Sequence, residues 1–158
     1  MSTRKDRTAE TLHQIRGELL TTVEGTAPAE FVWEPRPGMK SMKALLQEIG
    51  TMERLHTLFL AEGAEGDWET VVQWHGDGLD DTLADLKAIR AETDGFLASC
   101  SMADFETPRA IPEPWQKWWG PEATPEAMLN WITMHEYYHL GQLVYNRWML
   151  GHNPYEQT

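Results

Sequence analysis

Two histidines spaced four residues apart, His135 and His139, are the side chains in this sequence best suited to binding a metal ion. In a helix, this spacing places them one above the other on the same face, where two imidazoles can bind one ion. Gln142 and Asn146 continue that face, so an otherwise apolar helix carries a polar stripe. We expect Gln142 to orient one of the imidazoles, because a ligating histidine usually donates its second N–H to a neighbour.

Glu48 is the third candidate ligand. On a helical wheel with about 100° per residue, it falls in the middle of the apolar face of another predicted helix. A buried carboxylate costs several kcal/mol unless it is paired, protonated or bound to a metal. Glu53 falls on the opposite face and is expected to be solvated. His56 falls on the flank and is the substitute ligand if Glu48 is not one.

Glu48, His135 and His139 together supply two imidazoles and one carboxylate, the donor set of catalytic zinc sites and of non-haem iron sites. Three protein ligands leave a coordination position open for water or substrate. The sequence therefore predicts one divalent ion, with Zn, Ni, Fe and Mn all left open, and Trp131 and Tyr138 are expected beside it as pocket residues. The alternative is a non-catalytic metal-binding or dimerisation bundle in which the same three side chains form a buried cluster.

The segment from His135 to His139 also matches H-E-x-x-H, the zinc metalloprotease motif in which the glutamate is the general base. The extended motif has a glycine three residues after the second histidine and another histidine three residues further on. Here those positions hold Gln142 and Tyr145. No edge strand is predicted that could bind a peptide, so the sequence disfavours a peptidase.

Four predicted helices must position these side chains. Apolar residues recur at helical spacing in four segments, residues 6–23, 41–61, 77–99 and 125–150. Ser41 and Thr124 suit the N-caps of the second and the last of them. Prolines and glycines interrupt the chain between the segments. The predicted fold is all-α: a four-helix bundle forming one domain over residues 1–158.

A long irregular loop is predicted before the last helix, at residues 101–121, because its prolines exclude a continuous helix. The loop is crowded with tryptophans, and we expect Trp115, Trp118 and Trp119 to form a wall of the pocket beside the metal ligands. Cys100, at the start of this region, is the one cysteine of the chain, so no disulfide can form within it.

Charge and hydropathy exclude several classes of partner. The net charge is −12, from 13 lysines and arginines against 25 aspartates and glutamates, and such a surface repels phosphate backbones and anionic lipids. No apolar run approaches the roughly 18 residues of a membrane span. The first residues are charged and lack the apolar core of a signal peptide. We expect a cytoplasmic protein that binds neither nucleic acid nor membranes.

The whole sequence resembles the DinB/YfiT-like superfamily of metal-dependent hydrolases, which are four-helix bundles. The segments that carry the resemblance are Trp33–Ser41, Leu45–Ile49, Thr124–Leu129 and His135–Gln142. The resemblance implies a metal site with one histidine from the second helix and two from the last. His135 and His139 match the pair, whereas alignment from Ser41 places Glu48 at the position of the remaining histidine.

The resemblance also implies a range of activities. Some members of the superfamily transfer a low-molecular-weight bacterial thiol, such as bacillithiol or mycothiol, to an electrophile, and others are isomerases that use such a thiol. The expectation for this chain is a metal-dependent thiol transferase or hydrolase acting on a small molecule, with a small thiol as cosubstrate. Whether the protein forms a homodimer is left open by the sequence.

Overall fold

The computed structural model describes residues 2–153 and 155–156, which are mostly helical. The helices in chain order are α1 (Arg4–Val23), α2 (Pro28–Phe31), α3 (Met42–Glu62), α4 (Leu79–Ser99), α5 (Met102–Glu106), α6 (Gln116–Trp119) and α7 (Pro125–Met149). The four long ones, α1, α3, α4 and α7, form a bundle in which α1 lies along α7 and α3 packs on both α4 and α7. The predicted four-helix bundle is confirmed. Within the described residues, no helix combines the length and the apolar character that crossing a membrane requires.

The ends of the long helices follow local sequence signals. The side chains of Ser41 and Thr124 accept hydrogen bonds from backbone N–H groups three residues further on, at 3.2 and 3.1 Å, as expected of N-caps. Gly63 ends α3 in the left-handed conformation, with φ of 70°. Helix α4 begins at Leu79, two residues later than predicted, with Gly78 as its extended N-cap, and Asp77 lies before the helix and accepts a hydrogen bond from Lys43 Nζ at 2.5 Å.

Four buried charged side chains, one from each long helix, form a polar layer across the bundle: Arg16, Glu53, Arg90 and Glu136. On every helix the charged residue lies between members of two apolar clusters. One cluster includes Leu19, Ile49, Leu86 and Leu140, and the other includes Leu12, Phe59, Phe96 and Ile132. The apolar core is therefore divided in two along the bundle.

The prediction that Glu53 is solvated was wrong, because its side chain is 0% exposed. Arg90 Nε donates to its Oε1 at 2.6 Å, and Arg16 Nη2 donates to its Oε2 at 2.8 Å. Burial alone would raise the pKa of the Glu53 carboxyl, but Arg90 and Arg16 outweigh it and hold that pKa below its ordinary value. The face opposite the apolar stripe of α3 is covered because α3 packs between two neighbours, α4 and α7.

The long loop before α7 contains short elements where the sequence predicted irregular chain. After α5, strand β1 (Arg109–Ala110) pairs antiparallel with β2 (Glu122–Ala123), and a 3-10 turn at Glu113–Trp115 leads into α6. The N–H of Ile111 extends the pairing by donating to the carbonyl of Pro121 at 2.9 Å. This ribbon closes residues 111–121, and with them three tryptophans, into a loop against the bundle.

Candidate metal centre

Helices α3 and α7 bring Glu48, His135 and His139 together. One donor atom from each lies within 4.8 Å of the other two. His139 Nε2 is 3.1 Å from His135 Nε2 and 3.8 Å from Glu48 Oε1. Two nitrogens bound to one tetrahedral zinc ion, at about 2.0–2.1 Å each, lie roughly 3.3 Å apart. The two imidazoles are therefore already spaced as ligands of a single ion.

Gln142 fixes the orientation of His139. Its Oε1 lies 2.7 Å from His139 Nδ1, and since an amide oxygen can only accept, Nδ1 carries the proton. The lone pair of the neutral ring is then on Nε2, which faces His135 and Glu48. Gln142 Nε2 in turn donates to the hydroxyl of Tyr138 at 3.2 Å. Gln142 and Tyr138, both expected near the ligands, thus lie beside His139.

His135 is neutral at physiological pH. Burial, helped by the neighbouring His139, lowers its pKa to about 4, although Glu48 acts in the opposite direction. The ring of Trp131 stacks on the His135 ring with 5.1 Å between centroids and 21° between planes. Trp131 therefore restricts the rotation of the imidazole.

Glu48 lies at the rim of the group. Its side chain is 20% exposed, and Lys40 Nζ donates to its Oε2 while Oε1 faces His139. The wheel placed this carboxylate in the middle of an apolar face, but it belongs to the second turn of α3, where the preceding connector ends and solvent reaches the bundle. No sequence pattern singled out Lys40, because it lies in the connector between α2 and α3, where no helical periodicity predicts the direction of a side chain.

A cavity of about 780 Å³ opens over the three candidate ligands. Connector residues 38–40 form one side of it, and α7 forms the other with Tyr138, Gln142 and Asn146. The Asn146 side chain is only 3% exposed, and its Nδ2 has no hydrogen-bond partner among the described residues. The cavity wall therefore holds a buried donor that a bound molecule could satisfy.

Most of the chain matches one known protein family. The family model of the DinB superfamily matches residues 11–143. This protein belongs to the DinB superfamily. None of the curated proteins matches it.

Among solved structures, YfiT from Bacillus subtilis has the same fold as this DinB superfamily chain. The TM-score is 0.69 at 14% sequence identity, over 94% of this chain and 89% of that one. YfiT is described as a probable metal-dependent hydrolase with an unusual four-helix bundle topology. At this identity the likeness establishes the bundle topology alone. The match of residues 11–143 to the family model confirms the superfamily resemblance inferred from the sequence.

Glu136, the glutamate of the H-E-x-x-H match, points away from the metal-ligand group in this DinB superfamily chain. A step of one residue turns a helix by about 100°. The Glu136 carboxylate accordingly enters the core, where Arg16 Nε donates to it at 2.5 Å and Arg90 Nη2 at 2.6 Å. A side chain that is 0% exposed and paired with two arginines cannot act as a general base beside His135.

The loop tryptophans lie elsewhere than the sequence suggested. Trp115, Trp118 and Trp119 do not line the cavity of the candidate ligands, but a second cavity of about 410 Å³ that also includes His56. The loop joins the C-terminal end of α4 to the N-terminal end of α7. Glu48, by contrast, lies near the N-terminal end of α3, and His139 lies in the C-terminal half of α7. Trp131 lies between the two sites, stacked on His135 and on His56.

Proposed function

We propose that this protein is a metal-dependent enzyme that transfers a small thiol to a small-molecule electrophile. The observation that carries the proposal is the convergence of two imidazole nitrogens and one carboxylate oxygen, all within 4.8 Å, below an open cavity. These donors fit a divalent ion because imidazole nitrogen and carboxylate oxygen are common protein ligands of zinc and of non-haem iron. Three protein ligands leave room for a substrate atom.

When bound there, a divalent ion would lower the pKa of a thiol or a water molecule beside it and so supply a nucleophile at neutral pH. The protein's own contribution is orientation. Gln142 holds the Nδ1 proton of His139, so that Nε2 faces the group, and Trp131 keeps the His135 ring in place. Loss of such contacts around a ligand commonly lowers metal affinity by about 10–100-fold.

The reacting thiol must come from solution. Cys100, the one cysteine of the chain, packs in an apolar cluster with Phe96 and Phe105 and lines neither of the two cavities described above. Burial raises the pKa of the Cys100 thiol, which keeps it protonated and unreactive. A small thiol cosubstrate entering the cavity would supply the thiol that Cys100 does not.

Two donors in the cavity suit an electrophile with a carbonyl or carboxylate oxygen. Asn146 Nδ2 is buried and unpartnered among the described residues, and a ligand oxygen would satisfy it. Lys40, at the rim, forms an ion pair with Glu48. If Glu48 bound a cation instead, the Lys40 ammonium group would become free to bind a substrate oxygen. Together they would orient the substrate against the candidate metal ligands.

Hydrolysis at the same centre is the second candidate, and the description of YfiT as a probable metal-dependent hydrolase favours it. A non-catalytic bundle is the third, favoured by the ion pair that Lys40 already makes with Glu48. The three candidates differ in measurable properties: a thiol-dependent rate, a thiol-independent rate, and no rate at all.

The test begins with elemental analysis of protein purified without a His tag. The metal-loaded protein is then assayed with bacillithiol, mycothiol and glutathione against monochlorobimane, with and without a chelator. We expect a chelator-sensitive conjugation rate that His139→Ala abolishes and that the control Glu62→Ala, on the exposed end of α3, leaves unchanged. A metal-loaded protein without any thiol-dependent rate would refute thiol transfer. Absence of bound metal and of metal uptake would refute both enzymatic candidates.

A further inference from the structure

The second cavity is lined almost entirely by aromatic and aliphatic side chains. It has a volume of about 410 Å³ and lies between α3, the loop carrying α6, and the N-terminal half of α7. The residues used below are His56, Trp68, Trp115, Trp118, Trp119 and Trp131. None of them belongs to the candidate metal ligands, and none lines the cavity above those ligands.

His56 is held rigidly in this cavity wall. Its ring stacks on Trp131, with 5.1 Å between centroids and 28° between planes. The rings of Trp115 and Trp119 approach it at 5.4 and 5.5 Å. Nδ1 lies 2.8 Å from the carbonyl oxygen of Met52, so Nδ1 must carry the proton and donate it.

The other ring nitrogen of His56 is left without a partner. The residue is 5% exposed, and Nε2 has no donor or acceptor within hydrogen-bond distance in the part of the chain that the structure describes. Burial lowers the pKa of His56 to about 4, so at neutral pH Nε2 presents a lone pair and not a proton. Folded proteins rarely leave such an acceptor unsatisfied, because the loss of its hydrogen bond to water is not repaid.

The opening of the cavity is bordered by tryptophans, and the Lys117 ammonium group lies over one of them, 3.9 Å from the centroid of the Trp118 ring. Trp118 is 70% exposed, and Trp68 is likewise exposed. Large aromatic rings that remain in contact with water around a cavity commonly mark a binding site, since a ligand would bury them. The cavity lining contains no carboxylate, which a site for a cationic ligand would use to balance the charge.

We propose that this tryptophan cavity is a second binding site, for a flat, uncharged aromatic ring that carries one N–H or O–H donor. The indole rings would pack against the faces of the ligand, and the ligand's donor would bond to His56 Nε2. The site goes beyond the proposed function: it needs neither a metal nor a thiol, and it stands or falls independently of them.

Indole and benzofuran test the proposal, because they share a bicyclic shape and only indole has an N–H donor. Binding is followed by isothermal titration and by the ¹⁵N resonance of His56 Nε2. We expect indole to shift that resonance and to bind about three- to tenfold more tightly than benzofuran, as one additional hydrogen bond would give. In His56→Phe this preference should vanish, while Trp118→Ala should weaken the binding of both compounds.

Trp148→Ala is the matched control, because Trp148 is an exposed tryptophan outside this cavity, and its loss should change neither affinity. If His56→Phe fails to fold, the wild-type preference and Trp118→Ala decide the outcome. Equal affinity for the two compounds, no binding of either at millimolar concentration, or tighter binding of choline than of indole would overturn the proposal.

Discussion

Glu136 and Arg90 share a hydrogen bond of 2.6 Å between Oε2 and Nη2 in an interior from which water is excluded. The same glutamate directly follows the candidate ligand His135 in the chain. One residue of α7 thus faces the cavity and the next anchors the helix to α4. The position of the candidate metal ligands consequently depends on a charge cluster in the core.

Arg90→Met should destabilise the fold strongly. The change removes the partner that both Glu53 and Glu136 use and leaves Arg16 alone with two buried carboxylates. Loss of one partner from a buried ion pair typically costs about 3–5 kcal/mol of unfolding free energy. Urea denaturation followed by circular dichroism measures it. Arg54→Met, which breaks a surface pair with Glu92, is the control and should cost less than about 1 kcal/mol.

No metal-dependent peptidase activity is expected in spite of the H-E-x-x-H match. Glu136 is buried and paired with two arginines, so it cannot take a proton from water beside His135. Metal-loaded protein incubated with unfolded casein should leave it intact. Cleavage that a chelator stops and that Glu136→Gln abolishes without unfolding the protein would contradict this prediction.

Glu48→Ala should lower metal affinity by at least about tenfold, because one of three candidate ligands is lost. Gln142→Ala should weaken binding by about 10–100-fold, since His139 then loses the acceptor that orients it. Competition with a coloured chelator measures both, with Glu62→Ala as the control. Unchanged affinity in Glu48→Ala would show that Glu48 is not a ligand.

Lys40→Ala should raise metal affinity. The ammonium group of Lys40 is paired with Glu48, and a cation binding to that carboxylate must displace it. Exposed ion pairs contribute about 0.2–1 kcal/mol, so the gain should be roughly 1.4- to fivefold. The same chelator competition measures it, and Lys43→Ala is the control because Lys43 pairs with Asp77 instead. A lower affinity in Lys40→Ala would contradict the displacement.

Acid should destabilise the protein through His56. Burial lowers the pKa of its imidazole from 6.5 to about 4, so the folded state binds a proton less readily than the unfolded state. The stability that His56 contributes is complete above pH 6.5 and is lost as the pH falls from 6.5 to 4, by roughly 3 kcal/mol in total. His56→Phe should show a shallower loss over this interval in urea denaturation. Equal slopes for the two proteins would refute it.

The sequence predicted those features that depend on neighbouring residues. Ser41 and Thr124 begin helices because a capping hydroxyl acts within its own turn. The pair His135 and His139 converges because the spacing of a helix is fixed. Features that depend on distant parts of the chain were missed. Glu53 looked solvated because one helical wheel does not show how many neighbours a helix has.

The pocket walls were misplaced for the same reason. The loop tryptophans and the candidate metal ligands are both side chains of functional type, so the sequence suggested that they form one pocket. Nothing in their sequence spacing shows that Trp131 lies between the two groups. Lys40 lies in a connector, where no period restricts the direction of a side chain. Predicting the position of the loop tryptophans and that of Lys40 required knowledge of how the connecting segments cross the ends of the bundle.

The short ribbon of β1 and β2 makes the loop at residues 111–121 a unit that can open by itself. The ribbon has two residue pairs and one further backbone bond, whereas α7 is held along its length by α1 and α3. Local opening of such a segment needs much less free energy than global unfolding. We therefore expect amide protons in the loop to exchange with solvent sooner than those of α7, and a ligand of the proposed tryptophan site to enter and leave while the four-helix bundle remains folded.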